Sequence, residues 1–370
     1  MANMHFLARA ELQSLVACLE RRGYRCVGPL LRDGAIVYDE INHVDQLPKG
    51  VHDQQVPGSY RIIQDDNPRL FAWANGPQAI KPQLFKSTEV LWRVERDEAG
   101  QLQFVPAQTQ VEPVAIFGAR SCDLAAMAIQ DQVFLHSEHV DPYYQQARES
   151  LFTVAVNCSD PAETCFCAST GDGPHADVDA AYDLILTELD DGYLIDAGSD
   201  KGQEVLACLP LAAATDHQFF EAGQQRMHAR QAQQRALPTP MLAKTLMQKL
   251  DHPRWHEVAE RCLSCGNCTL VCPTCFCHKE EENPGLNGQA SEHSRAWDSC
   301  FTEGHSYIHG AVLRKDTAAR YRQWLTHKLA TWQDQFGSSG CVGCGRCLTW
   351  CPAGIDMTEE ANAICGDDHA

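Results

Sequence analysis

Leu12, Leu15, Val16 and Leu19 recur at i, i+3, i+4 and i+7 and stop at Gly23, the spacing of an amphipathic helix closed by a glycine. Short β-like runs follow at residues 35–38 and 60–63, with Pro- and Gly-bearing turns between them. Two apolar runs, 114–117 and 151–156, read as strands, and each leads to a cysteine, Cys122 and Cys158. The first continues through Gly118-Ala-Arg-Ser-Cys122 into a helical pattern over 124–134, so a parallel sheet is expected. Ligand sites on such sheets lie at the carboxyl ends of the strands. Residues 184–189 and 193–197 flank Asp190-Asp-Gly192, a hairpin signal. A polar Gln/Arg stretch over 224–235 then leads to Leu237-Pro-Thr-Pro240, which a helix cannot easily cross, and the domain boundary is placed near 240. Beyond it, residues 304–336 read as a mostly helical insert between two dense groups of cysteines.

The chain has 370 residues, enough for two domains, and its hydrophobic fraction of 44% and charged fraction of 21% are those of a globular protein. A formal charge of −19 with no Lys/Arg-rich run argues against nucleic acid as a partner. The first residues lack a basic segment followed by an apolar one, and no apolar run approaches the roughly 20 residues that span a bilayer, so neither secretion nor membrane insertion is expected. Nineteen cysteines in a large untargeted chain, many of them two or three residues apart, point to metal ligation and away from disulfides.

Cys262-Leu-Ser-Cys265-Gly-Asn-Cys268-Thr-Leu-Val-Cys272-Pro fits C-x2-C-x2-C-x3-C-P, and Cys341-Val-Gly-Cys344-Gly-Arg-Cys347-Leu-Thr-Trp-Cys351-Pro fits it again. In two-cluster ferredoxins the first three cysteines of such a run hold one [4Fe–4S] cluster and the fourth reaches the other. The expected ligands are therefore Cys262, Cys265, Cys268 and Cys351 for cluster A, and Cys341, Cys344, Cys347 and Cys272 for cluster B. Gly266, Gly343 and Gly345 let the loops bend closely round each site. Zinc is the bland alternative, but zinc sites use two spaced pairs and not a four-cysteine run ending in proline.

Cys122, Cys158, Cys165 and Cys167 form a third constellation, expected to hold a third [4Fe–4S] cluster; the alternative is four buried free thiols. In an extended segment Cys165 and Cys167 face one side, about 6.6 Å apart at Cα. Cys275, Cys277 and Cys300 are only three and stay unassigned, with a metal site completed by His278 or His305 and a packing role both open. Cys18, Cys26, Cys208 and Cys365 have no partner at ligand spacing and read as ordinary thiols. His305 and His309, at i and i+4 without an adjacent Glu, read as a plain helix face, and Trp324, Trp332 and Trp350 as packing residues. No G-x-G-x-x-G, G-x-x-x-x-G-K-[ST] or G-x-S-x-G motif is present, so no nucleotide site or nucleophile elbow is expected.

These segments together resemble the beta, iron–sulfur subunit of cytoplasmic NADP-reducing NiFe hydrogenases, or sulfhydrogenases, and the related A subunit of anaerobic sulfite reductase. The resemblance rests on Gly118-Ala-Arg-Ser-Cys-Asp-Leu-Ala125, Asn157-Cys-Ser-Asp-Pro161, Thr164-Cys-Phe-Cys-Ala-Ser169, Gly171-Asp-Gly-Pro174, Cys272-Pro-Thr-Cys-Phe-Cys277, Trp297-Asp-Ser-Cys300 and Gly340-Cys-Val-Gly-Cys-Gly-Arg-Cys347 through Asp356. Ser121 stands where the family's loop is expected to have Pro. The resemblance implies an α+β protein, with a mixed α/β domain over 1–240 followed by a helical two-cluster ferredoxin-like domain over 241–370; the 68 residues between Cys272 and Cys341 suit that helical form. It also implies a cytoplasmic, non-catalytic subunit that relays electrons between a flavin- and NAD(P)H-binding partner and the small and large subunits of a NiFe hydrogenase. A sulfite reductase catalytic subunit is the alternative partner. A self-contained enzyme using Cys300, His305 or an open-iron cluster remains a third reading, and a zinc scaffold a fourth.

Overall fold

The computed structural model describes residues 4–107, 111–176, 180–238, 241–286 and 288–366. Thr239 and Pro240, on which the predicted boundary partly rests, lie outside the described residues. The chain opens with β1 (His5–Ala8), the helix Leu12–Arg21, the hairpin β2 (Arg25–Arg32) and β3 (Ala35–Glu40), and a second hairpin β4 (Val51–Val56) and β5 (Ser59–Gln64). Then come β6 (Thr88–Arg96), β7 (Leu102–Pro106), β8 (Val114–Ala119), the helix Ser121–Phe134, and β9 (Leu151–Val156). β10 (Leu184–Glu188) and β11 (Gly192–Ala197) form the predicted hairpin, with β12 (Ala212–Ala213) behind them. After residue 240 the strands β13 (His278–Pro284) and β14 (Ala290–Trp297) precede the helix Thr317–Thr326.

The principal sheet runs β12-β1-β11-β10-β9-β8-β2-β3, and its centre, β2, β8, β9 and β10, is parallel. A strand covered on both faces is apolar throughout. On β8 and β9, Ala115, Phe117, Phe152, Val154 and Val156 face the core built on Leu12, Leu15, Val16 and Leu19 of the first helix. Ile116, Ala119, Leu151 and Ala155 face Leu124, Met127 and Phe134 of the helix that follows β8. The α/β region is therefore a sheet between two helical layers, and Cys122 and Cys158 lie just past the carboxyl ends of adjacent parallel strands.

Gly118 breaks the β8–β9 register and has φ +80, a left-handed conformation that only glycine adopts without strain. A Cβ there would also lie 3.2 Å from the Phe71 ring. This bulge turns the chain so that Arg120, Ser121 and Cys122 enter the interior.

The insert expected to be mostly helical over 304–336 is helical in its second part and departs from helix in its first. Residues 307–312 form a tight two-stranded ribbon, Tyr307–Ile308 with Ala311–Val312, because His309 and Gly310 both take positive φ, at +48 and +88, as a primed turn requires. His305 and His309 therefore do not share a helix face. Helix begins at Thr317 and continues through a π-helical turn, His327–Thr331, to Phe336. Upstream, β13 and β14 form a hairpin, and β14 pairs with β6, giving a second sheet in the order β13-β14-β6-β7. Arg295 on β14 anchors this junction, bonding Glu89 on β6 at 2.8 Å and also Asp141. Among the described residues no helix is long and apolar enough to cross a membrane.

Candidate metal centres

Both cysteine motifs fold alike. The first starts where the helix Arg254–Arg261 ends at Cys262, turns through Gly266 at φ +74, and enters the short helix Asn267–Leu270. The second turns through Gly345 at φ +75 into Arg346–Thr349. The Asn267 amide donates to the Trp350 carbonyl and ties the two short helices together. Nearby, Glu360 on the helix Met357–Gly366 is buried and accepts from Arg254 at 2.5 Å and Arg261 at 2.6 Å, fixing the approach to the first motif.

One cavity is lined by Cys262, Cys265 and Cys268 of the first motif together with Cys351 and, at its border, Cys347 of the second. Leu263, Phe301, Tyr321, Trp324, Pro352 and Ile355 complete its wall, and no charged side chain lines it. The four thiols predicted for cluster A thus converge across the two motifs. The complementary set also converges: Cys341, Cys344 and Cys347 are each close enough to Cys272 to interact electrostatically with it. Burial pushes Cys341 up to about 12 and Cys347 well above the ordinary thiol range. Cys272 is held well below that range, first by its hydrogen bond with Cys275 and then by the Lys328 ammonium, against its own burial.

The third constellation gathers as well. Cys122, Cys158, Cys165 and Cys167 are all buried, and Cys167 interacts with each of the other three thiols. Asn75 Nδ2 donates to Cys122 Sγ at 3.2 Å and Gln233 Nε2 to Cys167 Sγ at 3.3 Å, contacts that stabilise negative charge on sulfur. This group of thiols abuts the second motif: Phe166 N donates to the Gly343 carbonyl at 2.8 Å, and Cys344 interacts with Cys122, Cys165 and Cys167. Among the described residues no three His, Cys, Asp or Glu side chains close round a single metal ion. A tetrahedral zinc, with bonds of about 2.3 Å to sulfur, needs such a tight group. A four-iron cubane takes one outside thiolate at each iron, and the first cavity offers Cys262, Cys265, Cys268 and Cys351 for that purpose, with Cys347 at its border toward the second motif.

The 4Fe–4S dicluster domain matches residues 261–355, the span of both motifs. Sulfhydrogenase 2 subunit beta of Pyrococcus furiosus is 29% identical over 349 residues, covering 92% of this chain and 92% of that one. The chain is similar to that sulfhydrogenase subunit along nearly its whole length. No solved structure matches it. The dicluster domain holds [4Fe–4S] clusters, and the molecule as a whole is a mixed α/β fold followed by that domain.

Around the dicluster domain lie charged groups that its cysteine spacing does not announce. Lys328, from the π-helical turn, is buried and donates to Thr274 Oγ1 at 2.7 Å and the Gly340 carbonyl at 3.3 Å, facing Cys272, Cys275 and Cys341. Lys81, also buried, reaches the Cys272 carbonyl at 3.3 Å and stands 3.9 Å over the Trp297 ring. Arg346 is the one legible from sequence, because it sits inside the second motif. It bonds Asn75 Oδ1 and the Gly76 carbonyl, both at 3.0 Å, and pairs with Asp123 at 2.8 Å. Its Nη1 is buried without a hydrogen-bond partner. Cys300 and Cys277 interact with each other and with Lys328, while Cys275 bonds to Cys272. Cys18 and Cys26 are core thiols as expected; Cys208 is exposed, and it interacts with Cys18 and accepts from Arg22 Nη2 at 3.7 Å. Trp324 and Trp332 are buried, and Trp350 stacks on Tyr60 at 5.0 Å.

Proposed function

We propose that this protein is the iron–sulfur relay subunit of a cytoplasmic NiFe hydrogenase complex, passing electrons between a flavin- and NAD(P)H-binding subunit and the hydrogenase small and large subunits. The observation that carries the reading is the exchange of fourth cysteines between the motifs: Cys351 lines the first motif's cavity, and Cys272 sits among the second motif's thiols. In this reading Cys262, Cys265, Cys268 and Cys351 hold cluster A, Cys341, Cys344, Cys347 and Cys272 hold cluster B, and Cys122, Cys158, Cys165 and Cys167 hold a third. A bound [4Fe–4S] cluster takes up and gives back one electron at a time.

The chain's own residues do the rest. Cys347 borders both the first cavity and the second thiol set, and Cys344 borders the second and third, so the three sites form one continuous row. Phe301, Tyr321 and Trp324 keep water from the buried side of the first site, while exposed Cys265 leaves its other side open to a partner. Fully ligated sites leave no iron free for substrate, which supports a relay and not a catalyst. Similarity to a sulfhydrogenase beta subunit at 29% identity supports the hydrogenase partner.

Metal content and EPR of anaerobically purified full-length protein test this. About twelve irons per chain with reducible cubane signals is the expected result, and about eight would withdraw the third cluster alone. Zinc in place of iron would overturn the reading. Affinity purification from the native cell should bring down a nickel-containing subunit, and recovery of a sulfite-reducing partner in its place would reassign the complex.

A further inference from the structure

The two sites of the dicluster domain differ in buried charge. The first is walled by apolar and aromatic groups with no charged side chain among them. At the second, Lys328 is buried beside Cys272 and Cys341, and among the described residues no carboxylate pairs with it. Its ammonium is held by a hydroxyl and a carbonyl, which fix its position without cancelling its charge. Lys81 adds a second buried amine behind Cys272; burial disfavours its ammonium form, and the Cys275 and Cys272 thiols favour it. Arg346, by contrast, is paired with Asp123 and adds little net charge. Two desolvated cations in a chain of net charge −19 need a buried anion to offset the cost of burial.

We propose that Lys328, seconded by Lys81, is the built-in countercharge of the second-motif cluster and makes it the more easily reduced of the two clusters in the dicluster domain. This rests on the cluster assignment above. One-electron reduction adds one negative charge to the site and takes up no proton. A fixed ammonium beside it therefore stabilises the reduced form over the oxidised one. Partial exposure of Cys265 raises the first site's potential through water, but water screens charge there, whereas the interaction at Lys328 runs through protein, where it is stronger. An electron arriving at the open first site would then run downhill to the second.

The test is a reductive titration of the anaerobic full-length protein followed by EPR, with the second-motif signal identified by its alteration in Cys341→Ser. In the wild type that signal should appear first, at the higher midpoint potential. Lys328→Met should lower its midpoint and leave the other signal where it was, and Lys328→Arg should restore it. If Lys328→Met loses the cluster, Lys81→Met decides: a smaller downward shift of the same signal supports the proposal, and an unmoved potential overturns it. Reduction of the first-motif signal before the second in wild type, or equal shifts of both signals in Lys328→Met, would also overturn it while leaving the relay reading intact. Absence of any cubane signal in the wild type would remove both.

Discussion

Cys351 stands four residues past the second motif's third cysteine, yet it lines the cavity of the first motif. Replacing it with Ala removes one thiolate from that cavity and none from the set around Cys272. Cys351→Ala should therefore degrade the cluster A signal, through loss or conversion of one cubane, while cluster B keeps its EPR line. Loss of the second motif's own signal would refute the exchange of ligands. Cys208 makes a different demand at the same scale. The Arg22 guanidinium, and after it the Cys18 thiol, holds Cys208 below the ordinary thiol range, and its side chain is exposed. Because the thiolate is the nucleophile, alkylation of Cys208 should reach half its maximal rate below the pH of about 8.5 that suits a free cysteine. Arg22→Ala should move that midpoint upward, as mass spectrometry of iodoacetamide-treated protein would report; an unmoved midpoint would rule out the guanidinium as the cause.

At the scale of elements, the loop Gly343-Cys344-Gly345 rests directly on Thr164-Cys165-Phe166-Cys167. Gly343 has φ +63, and a Cβ on it would sit 2.5 Å from the Cys167 nitrogen, a backbone atom that cannot give way. Gly343→Ala should thus cost at least about 1–3 kcal/mol, lower the thermal midpoint by several degrees, and loosen the second and third thiol sets while sparing the first. Iron loss confined to the first motif would contradict this. Much of the surrounding structure was legible. Continuous apolar runs announced β8 and β9, the Asp190-Asp-Gly192 turn announced the β10–β11 hairpin, and i, i+3, i+4, i+7 spacing announced the first helix. The hairpin of β13 and β14 was not legible, because β13 reads His-Lys-Glu-Glu-Glu-Asn-Pro, is almost wholly exposed, and is a strand only through its partner. Residue spacing names thiols and is blind to Lys328, whose role depends on a π-helical turn that brings it beside Cys272 across a long stretch of sequence.

Across the whole molecule, the segments on either side of residue 240 are joined by polar contacts made at the motifs themselves. Gln130 Nε2 donates to the Pro273 carbonyl at 2.8 Å, Gln78 Nε2 to the Leu270 carbonyl at 2.7 Å, and Gly58 N to the Leu348 carbonyl at 3.0 Å. Thr349 Oγ1 bonds both Gln55 and Thr164 at 2.8 Å, and Phe166 is buried in the same core as Trp255, Trp324 and Leu348. β14 completes the picture, since its central position depends on β6. A fragment of residues 241–370 made alone would expose the unpaired edge of β14, leave the last carbonyls of both motif helices without these donors, and open the core at the place of Phe166. It should therefore aggregate or incorporate well under the roughly eight irons that two cubanes require, and co-expression with residues 1–240 should restore both solubility and iron. A monomeric 241–370 fragment with full iron and native EPR signals would mean that these contacts only dock a finished domain; an iron-poor fragment rescued in trans would mean that the α/β half is part of the scaffold on which the cluster sites are assembled.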